Sequence, residues 1–442
     1  MVSSQTILTT FSLFFSFVTF SNAALNQNKL PKNTAIHFPI IKNQTSNLYY
    51  TTFEFGTPSI TVDALVDLGG QNVWFDTTSF VSSSYKRAPC NSNRCKNAKG
   101  FVLCNYMCES SPTPGCSTTD CIVFTDNPVI NKVAGLELGD DTMKVTSTNG
   151  TSVSTLYEVP KFQFTRANAD MVRGLPGDHT KGLAGLARNN ISLTSQVSSS
   201  FKLAPKFAIC LPSSSENGLG DIFIGGGPYY MPPSTQDQSL SLVRTPLLVN
   251  PVTIARIAAE GDTSDEYFIG VKDIEINGKR VSVNSTLLSF DTQGIGGTKL
   301  STIARYTVLH ASIYKRLVKD YVKAATLMKI KRVTSVAPFG ACFDSNSVSK
   351  TLTGPAVPDI DLVLQAKIAL VKFKLSGSNL MVEAKKNVIC LAIIDGGAEP
   401  LTSIVIGGHQ LENRLLEFDL STSLLGFTPS LLLLNTSCSH YR

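Results

Sequence analysis

The sequence predicts a chain dominated by β-structure and folded as two lobes with a cleft between them. Three observations carry that reading. A length of 442 residues is too great for one small core and suits two large ones. Most of the chain reads as short strands broken by turns, and 43% hydrophobic against 16% charged residues fits a globular protein and excludes a disordered one. The chain also looks duplicated. Asp67-Leu68-Gly69 is followed about 118 positions later by Leu183-Ala184-Gly185, and Ser301-Thr302-Ile303 about 106 positions later by Val405-Ile406-Gly407. Each half therefore pairs a turn with an apolar-apolar-Gly element, as tandem lobes would.

Residues 1–24 read as a secretory signal. Ile7 to Phe20 is apolar, and small residues at Ser21-Asn22-Ala23-Ala24 suit cleavage after Ala23 or Ala24. The apolar stretch is too short for a membrane span, and no later segment comes closer to one. Residues 25–246 are expected to form the first lobe. In it, Tyr49 to Phe55 is rich in aromatic and β-branched residues and stops at Gly56-Thr57-Pro58, while Ala64–Val66 and Val73–Phe75 flank the Asp67 turn. A Cys-rich insertion occupies about 90–121. The linker falls near Leu247 to Glu266, a stretch with Pro, Asp and Gly and no clean period. Residues 247–442 form the second lobe. There, Tyr267–Val271 and Asp273–Gly278 suggest a strand pair with a turn. A helix is expected from about Tyr306 to Leu327, because Leu309, Ile313, Leu317, Tyr321 and Ala325 recur every four residues, with Lys315, Arg316, Lys319 and Lys323 on the other side.

Ten cysteines stand at Cys90, Cys95, Cys104, Cys108, Cys116, Cys121, Cys210, Cys342, Cys390 and Cys438. An even count in a secreted chain implies about five disulfides. Six of the ten fall between Cys90 and Cys121, where no His and no Cys-x-x-Cys knuckle supports zinc, so no metal is expected. The pairing within that cluster is open. Asn43, Asn149, Asn190, Asn284 and Asn435 head Asn-x-Ser/Thr acceptors for N-glycosylation, which agrees with the secretory route. A net charge of +6, with no dense basic tract interleaved with aromatics, argues against a nucleic-acid partner and permits contact with acidic cell-wall polysaccharide.

Several motifs resemble the pepsin-like aspartic proteases in their plant, nepenthesin-type form, which implies a bilobal double-ψ-barrel fold. They are Gly56-Thr57-Pro58, Asp67-x-Gly69 with Val73-Trp74, Gly182-Leu183-Ala184-Gly185-Leu186, Ser192-Leu193-Thr194-Ser195-Gln196, Gly407-Gly408, Phe418-Asp419-Leu420 and Leu425-Gly426-Phe427, all in family order. A second set is similar to one plant subgroup: Val66-Asp67-Leu68-Gly69-Gly70, Asn127-Pro128-Val129-Ile130-Asn131, Gly296-Gly297-Thr298-Lys299-Leu300-Ser301-Thr302, Ser335 to Cys342, and Ser403 to Gln410. That subgroup holds the extracellular dermal glycoprotein, xyloglucan-specific endoglucanase inhibitor proteins, nectarin IV, wheat xylanase inhibitors and basic 7S globulins. The resemblance implies a chain without protease activity, and for several members inhibition of microbial cell-wall glycoside hydrolases. Close relatives carry Cys where this chain has Thr77 and Arg166. Loss of both together implies one whole bridge lost and no unpaired thiol left.

The residues themselves point away from proteolysis. Aspartic proteolysis needs two carboxylates near enough to share one proton, so that one acts as base and the other as acid. Relatives with activity have Asp-Ser-Gly where this chain has Ser301-Thr302-Ile303. Acid–base help of this kind is worth about 10²–10⁴-fold in rate. Leu68 replaces the Thr or Ser that supports the first carboxylate, and no tyrosine lies between Tyr106 and Tyr157, where the flap tyrosine belongs. Asp67 is then a remnant that accepts backbone N–H bonds in its turn. A serine nucleophile at Ser301 would need a His beside it, and His37, His179, His310, His409 and His440 are none of them placed there by motif.

The expected function is a secreted, apoplastic or cell-wall inhibitor of microbial glycoside hydrolases (xyloglucanase, endoglucanase or xylanase) that uses no cofactor. Retaining glycosidases hold two carboxylates about 5–5.5 Å apart, which a cationic side chain can plug. Two loops of the second lobe are candidates. Met328 to Arg332 carries Lys329, Lys331 and Arg332. Ile394 to Leu401 carries Glu399 and Leu401, and xyloglucanase-inhibiting relatives have an Arg at the position of Leu401. The alternatives are a 7S-globulin-like binding or storage protein and a residual aspartic endopeptidase.

Overall fold

The computed structural model describes residues 30–31, 34–98, 102–104, 120–213, 218–257, 259, 261–366 and 368–440. The signal segment, Cys108 and Cys116 lie outside the described residues. The architecture is mostly strands with a few short helices, arranged as the duplicated sequence implies.

In the first half, the strand Tyr49–Phe55 alternates buried and half-buried residues and pairs antiparallel with Ile60–Asp67, with Tyr50 opposite Leu65. Asp67 ends that second strand. The segment Thr180–Gly185 then runs parallel to it, setting Leu183 beside Leu65 and Gly185 beside Asp67, and also antiparallel to Val73–Asp76. The Asp67 turn is thus held between two strands by a third that arrives from far along the chain. That crossing is very close. A Cβ on Gly70 would come within 2.9 Å of Gly185 Cα, and one on Gly185 within 2.4 Å of the Gly70 carbonyl, so neither position admits a side chain.

The second half repeats the device. Thr298–Leu300 runs parallel to Ile404–Ile406, which in turn pairs antiparallel with Thr307–Leu309. Ser301 follows the first of these strands as Asp67 ends its counterpart. The expected helix covers Ala311–Leu327 and buries Ile313, Leu317, Tyr321 and Ala325. It starts five residues later than the periodicity suggests. Residues 307–309 are drawn into strand pairing with Ile393–Asp395 and Ile404–Val405, and His310 caps the helix by accepting from Ser312 N–H at 3.1 Å. Leu309 is buried all the same, in a strand rather than a helix. The expected strand pair at 267–278 is divided between sheets. Phe268–Ile269 pairs with Leu247–Leu248 and with Lys299 and Thr298, whereas Val271–Ile276 pairs with Ile360–Leu364 and turns at Asn277-Gly278 onto Lys279–Arg280.

The halves share one antiparallel sheet. Ala35–Lys42, Gly220–Ile224, Lys206–Cys210, Leu415–Asp419, Leu424–Phe427 and Val243–Leu248 lie side by side in that order. Phe207 and Phe418 stack across it, with ring centroids 4.7 Å apart, and Cys210–Cys438 ties down the chain's last turn. The strand Val243–Leu248 pairs with Leu424–Phe427 as far as Pro246 and with Phe268–Ile269 from Leu247 onward. Away from the sheet, a buried polar network joins the halves. Glu412 accepts from Lys42 Nζ and from Tyr49 OH (2.7 Å), and His409 Nδ1 stands 3.5 Å from its other oxygen. Burial pushes the Glu412 carboxyl up, but His409 and Lys42 outweigh it and hold it below its usual value.

Four disulfides form among the described residues: Cys90–Cys104, Cys95–Cys121, Cys210–Cys438 and Cys342–Cys390. Thr77 and Arg166, the two positions at which the resemblance implies a lost bridge, are neighbours. Arg166 Nε donates to Thr77 Oγ1 at 3.2 Å, and its guanidinium lies 5.1 Å from the Tyr85 ring centre. A hydrogen bond and a cation–π contact stand where that bridge would be. Thiol titration of the denatured, unreduced protein should find no reactive cysteine, and one or more per chain would contradict the loss of a whole bridge.

Candidate functional site

The two turns meet at the floor of a cleft of about 450 Å³. Asp67 is fixed by its backbone, whose carbonyl accepts from Leu186 N–H at 2.9 Å and Gly70 N–H at 3.2 Å. Its carboxylate Oδ1 accepts from Gly69 N–H at 2.8 Å. The side chain is buried, which pushes the carboxyl up to about 7. Repulsion from Asp126 and Glu266 adds to the shift, and the Gly69 N–H and Lys299 oppose it.

Ser301 holds the corresponding place in the second turn, with its N–H donated to the Ile406 carbonyl at 2.9 Å. Its hydroxyl oxygen accepts from Ile303 N–H (3.2 Å) and Ala304 N–H (3.1 Å). Serine therefore does the turn-closing work that a carboxylate could do, without the charge. No histidine is among the described residues lining the cleft. The adjoining Thr302 reaches across to the first turn. Its hydroxyl accepts from Leu68 N–H at 3.1 Å and donates to the Val66 carbonyl at 2.7 Å. Leu68 has no hydroxyl with which to return that bond, so the link between the turns is one-sided.

Sequence reasoning missed the charges around Asp67. Lys299 projects from the strand that leads to Ser301 and meets Glu266 at 2.7 Å. Arg256 lines the same cleft from the linker and acts on Asp126. Thr298 and Leu300 are buried on either side of half-buried Lys299, which lines the cleft. Asp126 comes from the hairpin of Ile122–Asn127 and Lys132–Thr148. The tip of that hairpin lines the cleft with Pro128 and Asn131 and carries no tyrosine. Asn127 pins the tip by donating to the Met171 and Arg173 carbonyls at 2.7 and 2.9 Å and accepting from Val129 N–H. Asp67 and Asp126 share no hydrogen bond, and Asp126 belongs to the hairpin rather than to the turn that mirrors Asp67. Ile303, Val308, Leu401 and Val405 supply the cleft with apolar lining.

The two candidate loops are placed differently. Leu401 lines the cleft at its rim and is 54% exposed. Its loop is anchored, since the Leu401 carbonyl accepts from Gly296 N–H and the Gly397 carbonyl from Ala311 N–H. Glu399 is exposed on that loop. Lys329, Lys331 and Arg332 are exposed beyond the far end of the long helix, where Met328 meets Asn277 and Lys331 lies 3.7 Å from Asp344. They do not line the cleft. Asn149, Asn190, Asn284 and Asn435 are exposed, and Asn43 is half-buried because its side-chain oxygen closes a turn onto Thr45 and Ser46.

A family model described as xylanase inhibitor N-terminal matches residues 49–226, and one described as xylanase inhibitor C-terminal matches residues 266–429. The chain is 42% identical over 426 residues to the probable aspartic proteinase GIP2 of Nicotiana benthamiana, covering 96% of this chain and 95% of that one. It is 35% identical over 438 residues to gamma conglutin 1 of Prunus dulcis, covering 98% and 96%. Among solved structures, edgp superposes with a TM-score of 0.87 at 42% identity over 92% of this chain and 98% of that one. Basic 7S globulin from soybean gives 0.77 at 31% over 93% and 99%.

Proposed function

The chain belongs to the xylanase-inhibitor family of pepsin-like proteins, and on that premise we propose that it is a secreted, proteolytically inactive protein that inhibits microbial cell-wall glycoside hydrolases. The observation that carries this is the cleft: an intact two-lobed scaffold in which a turn-capping serine stands where the second carboxylate of a dyad is needed. One buried carboxyl cannot serve as base toward water and as acid toward the carbonyl in the same step. The rim loop ending at Leu401 is the surface offered to an enzyme's substrate groove.

The deciding experiment mixes the purified protein with fungal and oomycete xyloglucanases and xylanases and measures both residual activity and complex formation. Lost activity with a stable complex is the expected result. Absence of binding to every enzyme would favour a 7S-globulin-like binding or storage role, which the similarity to conglutins and 7S globulins supports as a second reading. Pepstatin-sensitive peptide cleavage at acid pH, abolished by Asp67→Asn, would instead establish a residual endopeptidase. Leu401→Arg should tighten inhibition of a xyloglucanase by about ten- to a hundredfold, because a charge-assisted hydrogen bond to a catalytic carboxylate is worth about 1.5–3 kcal/mol. An unchanged inhibition constant would remove this rim from the interface.

A further inference from the structure

The cleft holds one more negative charge than it neutralises. Asp67, Asp126 and Glu266 line it, and so do Lys299 and Arg256. Lys299 is committed to Glu266 at 2.7 Å, and Arg256 offsets Asp126. Asp67, once ionised, has no cation of its own among the described residues. It is 7% exposed, one of its oxygens takes the Gly69 N–H, and the other accepts no hydrogen bond from them. Asp126 repels it across the cleft, so a positive group placed between the two would relieve that repulsion as well as gain attraction. Ile303, Val308 and Leu401 give the same cleft a hydrocarbon part of its lining. Among the described residues no three His, Cys, Asp or Glu side chains converge as a metal would require.

We propose that this cleft binds an alkylammonium group, with the ammonium between Asp67 and Asp126 and its methylene chain against Ile303, Val308 and Leu401. An ammonium brings three donors to the free carboxylate oxygens, and the aliphatic stem matches the apolar lining. The same chemistry comes from a free polyamine or from a lysine side chain presented by another protein. The site shares Leu401 with the rim offered in the inhibitor reading, but its charge comes from Asp67 and Asp126 and not from that rim, so amine binding and enzyme inhibition can each fail alone. It is also gated by proton. Asp67 titrates at about 7, so an acidic medium leaves it neutral and removes the surplus charge, and a neutral or alkaline one restores it.

Titration calorimetry on the purified full chain tests this with spermidine and, separately, with a short peptide whose single lysine carries the only free amine. At about pH 8 at least one of the two should bind, and at about pH 5 at least tenfold more weakly, as a carboxyl of that pKa requires. Spermidine alone giving heat identifies a free amine as ligand, and the peptide alone giving heat identifies a protein-borne lysine. Asp67→Asn should abolish the binding and its pH dependence, and Asp126→Asn should weaken it, while Lys331→Ala, remote from the cleft, should not change it. Circular dichroism confirms that each variant is folded. No heat from either amine at about pH 8, or undiminished binding by folded Asp67→Asn, overturns the assignment.

Discussion

Asp67→Asn should be more stable than the parent protein by about 4 kcal/mol at about pH 8, a gain set by about 1.4 kcal/mol per pKa unit, and the difference should vanish below about pH 4. The folded carboxyl titrates at about 7 instead of its usual 3.8, with burial as the main cause. Between those values the folded state holds a proton that the unfolded state has released. Stability therefore falls as pH rises through that window, by about 1.4 kcal/mol for each pH unit crossed. Asparagine keeps an oxygen to accept the Gly69 N–H and never ionises, so it escapes the loss. Urea unfolding at about pH 4, 6 and 8 measures it. A parent and variant that differ equally at all three would mean the carboxyl is not perturbed. A working protease accepts such a cost because the carboxyl is needed for chemistry. Here the cost persists beside Ser301, and a ligand ammonium would offset it.

Glu412→Gln should destabilise the protein by about 3–5 kcal/mol, the usual result of stranding one partner of a buried ion pair. Lys42 and Glu412 have side chains only 5% and 4% exposed, and Tyr49 and His409 complete the network. Replacing both partners by apolar residues, Lys42→Met with Glu412→Leu, should cost less than either single change, because no uncompensated charge is left. Chemical denaturation of the singles and the double closes the cycle. Independent, additive costs would show that the pair does not couple the first lobe's Lys42 and Tyr49 to the second lobe's Glu412 and His409.

Much of the fold was legible because its signals are local or repeat. The strand Tyr49–Phe55 came from aromatic and β-branched content and a Gly-Thr-Pro stop, and its bounds in the structure are the expected ones. The long helix came from a four-residue apolar stripe, and only its start was misplaced, since Thr307–Leu309 answers to strands almost a hundred residues downstream. The same remoteness explains why Phe268–Ile269 and Val271–Ile276 part company: each pairs with a segment that local composition does not reveal. In the candidate site, the lesions at Ser301 and Leu68 and the missing tyrosine were plain in the sequence, being substitutions within motifs. Thr302 and Lys299 were not, because their roles depend on what lies across the cleft.

The sequence by itself determined that this is a two-lobed, strand-rich, disulfide-linked chain with one carboxylate where a dyad would have two. It did so because hydrophobic period, turn chemistry and an internal repeat are properties of neighbours along the chain. Only the tertiary structure decided what that carboxylate faces. Electrostatics in a cleft is a sum over groups close in space: Asp126, Glu266 and Lys299 act on Asp67 from a hairpin, the linker and the far lobe, and Arg256 acts on Asp126. The same reason separates the two candidate loops. Both are near in sequence to the second lobe's landmarks, but only the one ending at Leu401 is folded onto the rim of the cleft.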